Sequence, residues 1–96
     1  MTVQDAVRQH RDEIIEIAAR HGATNVRVFG SVARGTAGPE SDLDLLVDVS
    51  DDASPWFPAE LLVDLEDLLG IDVDVLTEPT IYWVIRDQVL AEARPL

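Results

Sequence analysis

Asp42 and Asp44 stand two apart at the start of a segment, Asp42 to Val49, whose Leu43, Leu45, Leu46, Val47 and Val49 read as a β-strand. Residues two apart on a strand share a face, so both carboxylates leave the same side. Two such groups repel unless positive charge lies between them. A hard divalent cation meets that need, and Mg²⁺ in particular takes one or two protein carboxylates together with substrate phosphates. Asp72 and Asp74 repeat the pattern in the segment Ile71 to Leu76. If the two strands are neighbours, one of these acids completes a three-carboxylate cluster; strand parity does not choose between them. The plainer reading is surface acids in water. Against it, strands that are otherwise apolar accept unpaired charge only at a high desolvation cost, so two alternating acidic strands point to a charged cleft.

Gly30-Ser31 supplies a second kind of chemistry. It follows a short β-like stretch, Asn25 to Phe29, and opens a possible short helix ended by Gly35. Free backbone N–H groups and a hydroxyl at such a turn can hold an anion, and glycine lets a phosphate approach the backbone closely. A simple serine cap is the ordinary explanation for Gly-Ser alone. Ten residues separate Ser31 from Asp42. A phosphate cradle followed by paired carboxylates, with a third on a later strand, is a site for a metal-bound nucleoside triphosphate.

The rest of the chain must position these groups. Val3 to His21 reads as one amphipathic helix, with Thr2 as N-cap and Gly22 as its stop. Thr36 to Ser41 contains the turn signal Gly38-Pro39, and Asp48 to Pro58 is a loop holding Trp56 and Phe57. Pro58 suits the first position of a helix striped by Leu61, Leu62, Leu65, Leu68 and Leu69 and stopped by Gly70. After a turn at Thr77 to Thr80, Ile81 to Ala91 reads as a last helix with Ile81, Val84, Ile85 and Val89 or Leu90 inward. The order predicts an α+β (α/β) domain with a small mixed sheet covered by helices, one domain over residues 1–96.

Composition limits the function. The chain has 96 residues, 19 acidic and 7 basic side chains, and a net charge of −12. All seven basic residues are Arg, and none lies between Gly35 and Ile85. Such acidity argues against direct nucleic-acid binding. With no Cys, disulfides and thiolate metal sites are excluded. No apolar run approaches a membrane span and no basic, apolar leader is present, so a cytoplasmic protein is expected. His10 and His21, eleven apart, form no metal-ligand pair. Trp56 and Phe57 read as a plug over the core, or as a partner contact or base stack; of Tyr82 and Trp83, one is expected in the core.

Gly30-Ser31, ten residues, then Asp42-x-Asp44 resembles the signature of the DNA polymerase β-type nucleotidyltransferase superfamily. The fuller string Gly30-Ser31-x-Ala33-Arg34-Gly35, then Ser41-Asp42-x-Asp44-Leu45, resembles its smallest branch, the minimal nucleotidyltransferase (MNT) domain, over nearly the whole chain. The resemblance implies a polymerase-β-like fold. It implies that Gly30 and Ser31 hold the triphosphate, that Asp42 and Asp44 bridge two Mg²⁺ ions, and that Asp74 is the third carboxylate, with Asp72 as its rival. Arg34 is then a phosphate contact or a structural ion-pair partner, and the Ser41 hydroxyl contacts phosphate or supports the turn before Asp42. The reaction implied is two-metal transfer of a nucleotide, AMP from ATP, to a hydroxyl.

A chain this short has no room for an acceptor-binding domain, so the acceptor site comes from a second copy or another protein. MNT proteins are commonly paired with HEPN-domain ribonuclease toxins, and as antitoxins they transfer AMP to a toxin tyrosine. A HEPN toxin is therefore the expected partner, and an acidic surface suits a basic one. Two other readings stay open: an antitoxin that masks its partner stoichiometrically without catalysis, and a catalytic subunit acting on a small molecule or RNA with a separate substrate-binding subunit.

Overall fold

The computed structural model describes residues 2–38 and 41–96. Pro39, half of the expected Gly38-Pro39 turn, lies outside them, as does Glu40. In chain order the elements are α1 (Val3–Gln9), α2 (Arg11–Arg20), β1 (Ala23–Phe29), α3 (Gly30–Arg34), β2 (Leu43–Val49), α4 (Ala59–Leu69), β3 (Val73–Leu76), two short 3₁₀ turns (Glu78–Thr80 and Trp83–Ile85), α5 (Arg86–Glu92) and β4 (Arg94–Pro95).

The strands form one mixed sheet in the order β3-β2-β1-β4. The β1–β2 and β1–β4 pairs are antiparallel, and β2–β3 is parallel. This is the α+β architecture with a small mixed sheet that the element order predicts.

β2 runs through the middle and is apolar on both faces for a reason. Leu43, Leu45 and Val47 point into the main core, where they meet Val3 and Val7 of α1, Ile14 and Ile17 of α2, and Leu61 and Leu65 of α4. On the opposite face Leu46 is sealed by Phe29, Ile81 and Val89, a smaller second layer that α5 completes. Asp44 shares the face of Leu46, two residues toward the strand's start, where it is only half-buried. The packing that sets the strand's position is hydrophobic; the acid sits at the margin of the second layer.

Several boundaries differ from those expected. The single helix over Val3 to His21 is two, because His10 leaves helical geometry at φ −105°, ψ 17°. Periodicity carries no sign of the break. The triplet Val3, Ala6, Val7 recurs eleven residues on as Ile14, Ile17, Ala18, a spacing that stays in phase with a 3.6-residue helix. β1 starts at Ala23, two residues early, with an irregular register around Asn25, whose positive φ of 51° asparagine tolerates. Pro58 precedes α4 rather than opening it.

The last helix is shorter than expected. The Glu78–Thr80 turn falls where a turn was expected, held by the Thr77 N–H donating to Thr80 Oγ1 (2.9 Å) and by Arg86 donating to the Glu78 carbonyl (2.8 Å), but residues 81–85, expected to be helical, hold the second 3₁₀ turn instead. Ile81 and Val89 are buried as expected, but Val84 and Ile85 are 57 % and 41 % exposed. Tyr82 and Trp83, of which one was expected inside, are both exposed, at 63 % and 78 %. Phe57 packs on the main core while Trp56 projects outward. No described helix is long and apolar enough to cross a membrane.

Candidate active site

The parallel pairing of β2 with β3 sets Asp44 directly opposite Asp74. Its first rung is the Leu43 N–H donating to the Asp72 carbonyl (3.0 Å), which anchors Asp72 by its backbone just ahead of β3. Asp42 lies two residues before Asp44, exposed at the mouth of β2. On the other side the antiparallel register puts Phe29, the last residue of β1, opposite Asp44. The chain therefore delivers Gly30 and Ser31 to the flank of that carboxylate as it enters α3.

Gly30 fits there because it is glycine. Its φ is +71°, and a Cβ added to it would collide with Asp44 Oδ2, with Asp44 Cγ only 3.3 Å away. The Asp44 carboxylate thus lies against the Gly30 backbone.

Charge converges on Asp44. Burial, then the neighbouring Asp74 and Asp42 carboxylates, push its carboxyl above the ordinary value of 3.8; Glu92 adds to the rise and the Arg34 guanidinium opposes it. Of the neighbouring acids, Asp74, which the register sets opposite Asp44, bears on it most strongly. Among the described residues the acidic side chains do not close around one point as a ready-made three-ligand metal cage.

Arg34 donates to Glu92 Oε1 at 2.8 Å, an ion pair between α3 and α5. The second Glu92 oxygen accepts from the Gly30 N–H at 3.3 Å, and Gln88 donates to Oε1 at 3.2 Å. The Arg34 hydrogen bond is the main reason the Glu92 carboxyl is held below its usual range. Ser41 Oγ accepts from the Gly38 N–H at 2.8 Å, so in this state its hydroxyl supports the turn before Asp42. The two histidines are apart from this cluster and from each other: His10 Nδ1 lies 2.9 Å from Glu13, and His21 Nε2 lies 2.7 Å from Asp64.

Glu92 is the member of this constellation that sequence reasoning missed. It ends a helix 58 residues after Arg34, and no spacing rule links them. The one local hint is the Gln88–Glu92 pair at helical i, i+4 spacing, which does not point to a site.

Comparison with known proteins shows the family and the fold. A family model described as a nucleotidyltransferase domain matches residues 7–96. The protein adenylyltransferase MntA of Thermococcus cleftensis is 36 % identical over 90 residues, which is 94 % of this chain and 88 % of that protein. A solved candidate minimal nucleotidyltransferase superposes over 100 % of this chain and 97 % of its own, with a TM-score of 0.85 and 46 % identity. A toxin–antitoxin structure with AMP-PNP superposes with a TM-score of 0.73 and 26 % identity, over 88 % of this chain and 69 % of that one.

Proposed function

The chain belongs to the nucleotidyltransferase domain family, and on that footing we propose that it transfers AMP from ATP to a hydroxyl of a partner protein, as the antitoxin of a HEPN-domain toxin. The observation that carries the reading is the register that sets Asp74 opposite a half-buried Asp44, two residues after Asp42 and against Gly30. The name of the Thermococcus relative supports a protein acceptor, and the toxin–antitoxin structure with AMP-PNP supports a toxin partner and an adenine nucleotide.

The donor set fits Mg²⁺. It is all oxygen, and Asp44 already carries the strain of two neighbouring carboxylates, which a divalent cation relieves. Asp42, Asp44 and Asp74 would be the residues that hold the two Mg²⁺ ions. Bound there, Mg²⁺ supplies charge to the phosphates and acidity to the acceptor hydroxyl.

The chain's own residues do the placing. With the Gly30 N–H engaged by Glu92, the Ser31 hydroxyl and amide are the groups left at the turn for the triphosphate. The acceptor oxygen attacks the α-phosphorus, the bond from that phosphorus to the pyrophosphate oxygen breaks, and pyrophosphate leaves. Asp74 would receive the acceptor's proton. Alignment and charge, rather than a covalent enzyme intermediate, provide the acceleration.

The test uses the protein encoded beside this chain as acceptor. With Mg²⁺ and ATP labelled at the α-phosphate, that protein gains label and loses toxicity, and Asp42→Asn/Asp44→Asn abolishes both. If the double variant still neutralises the partner at equal ratio, the protein is a stoichiometric mask and the catalytic reading is wrong.

A further inference from the structure

Glu92 binds both flanks of the nucleotide cradle. Its Oε2 takes the Gly30 N–H and its Oε1 takes Arg34, with Gln88 steadying Oε1. Its side chain is only 19 % exposed. α5, which carries it, is seated through Val89 in the second core layer, so the carboxylate projects from a fixed base. Both oxygens are engaged, which leaves Glu92 poorly suited to be a metal ligand or a proton acceptor.

We propose that Glu92 is a positioning residue of the nucleotide site: it clamps the Gly30–Ser31 turn against Asp44 and restrains Arg34 from the acidic cluster. The proposal rests on reading that cluster as the site of nucleotidyl transfer. Two consequences of the geometry carry it. First, Gly30 is gripped from two sides, by the Asp44 carboxylate where a Cβ would be and by Glu92 at its N–H. Ser31 is the next residue, so its position relative to Asp44 depends on that grip. Second, Arg34 lies on α3 one helical turn after Gly30, which itself lies against Asp44, and its guanidinium is held by Glu92. Freed from Glu92, its guanidinium would swing toward three carboxylates and compete with Mg²⁺ for them. Glu92 therefore keeps the cluster available for the metal-bound nucleotide.

Isothermal titration of the whole chain with Mg²⁺ and AMP-PNP tests this without an acceptor. Residues that orient metal ligands typically cost 10–100-fold in affinity when removed, so Glu92→Ala should weaken binding by roughly that factor at full stoichiometry. A variant that merely unfolds in part would instead lower the stoichiometry and leave the affinity of the folded fraction unchanged, which would count against the proposal. Glu92→Gln, which keeps the shape and one acceptor oxygen, covers the case in which the alanine variant does not fold; it should also bind more weakly than wild type. Adding Arg34→Gln to Glu92→Ala should recover part of the loss if Arg34 is the competitor. Wild-type affinity in both single variants, or tighter binding, would overturn the proposal while leaving the site reading intact. A wild-type chain that does not bind Mg²⁺ with AMP-PNP would overturn both.

Discussion

Replacing Gly30 by alanine separates a backbone effect from a site effect. Gly30 and Gly70 have almost the same conformation, at φ +71° and +69°, but a Cβ at Gly70 would meet nothing within 4 Å. A left-handed alanine costs roughly 1–2 kcal/mol, reduced by about 0.4–1 kcal/mol because the unfolded chain also loses freedom. Gly70→Ala should therefore destabilise by about 1 kcal/mol, a melting temperature lower by about 4–8 °C for a domain of this size. Gly30→Ala carries the same strain and also drives its Cβ into the Asp44 carboxylate. Turning that side chain off its rotamer adds about 0.5–1.5 kcal/mol, for a total near 2 kcal/mol and a fall of roughly 8–16 °C. The two variants should part more sharply in function. Gly70→Ala should bind Mg²⁺ with AMP-PNP like wild type below its melting range; Gly30→Ala, with Asp44 displaced, should lose most of that binding. Differential scanning fluorimetry with and without ligand reads both effects. If Gly30→Ala keeps wild-type affinity, the close approach of Gly30 to Asp44 has no part in nucleotide binding.

Other outcomes follow from the same geometry. Asp44 has a folded-state pKa above its unfolded value of 3.8, so its contribution is full below that value and is lost as pH rises through the folded pKa. Asp44→Asn should therefore raise the melting temperature of the metal-free protein at neutral pH, with the difference closing as pH falls toward 3.8. Asp74→Asn should slow transfer by roughly 10²–10⁴-fold, the usual range for losing a proton acceptor, whereas Asp72→Asn should transfer at the wild-type rate. Calorimetric or chemical unfolding should find Leu45→Ala costing about 2–5 kcal/mol, because Leu45 is fully buried, and Trp83→Ala within about 0.5 kcal/mol, because Trp83 is exposed.

The alternation of acids with Leu and Val around Asp44 and Asp74 made the two strands readable, and their being neighbours was the simplest way to gather the charge. Gly30-Ser31 was readable for the same local reason: a glycine-led turn leaving a strand. What local pattern could not convey was which pairs meet. Arg34 and Glu92 come together only because α5 packs beside α3, and that depends on Val89 and Ile81 covering Leu46 across the sheet. The parallel register that sets Asp74 opposite Asp44 likewise could not be read from either strand alone. Tyr82 to Ile85 misled for a related reason. Apolar residues at helical spacing signal a buried face only if something covers it, and here the 3₁₀ turns leave all four exposed. β4, two residues long, is too short to show any period.

Incubation with the partner protein and Mg²⁺, using ATP labelled in parallel at the α- and γ-phosphates, distinguishes nucleotidyl transfer from phosphoryl transfer and from simple masking. The partner should gain label from the α-phosphate and none from the γ-phosphate, with pyrophosphate released in equal amount and all transfer lost in Asp42→Asn/Asp44→Asn. Label from the γ-phosphate, or α-label undiminished in the double variant, would contradict this reading.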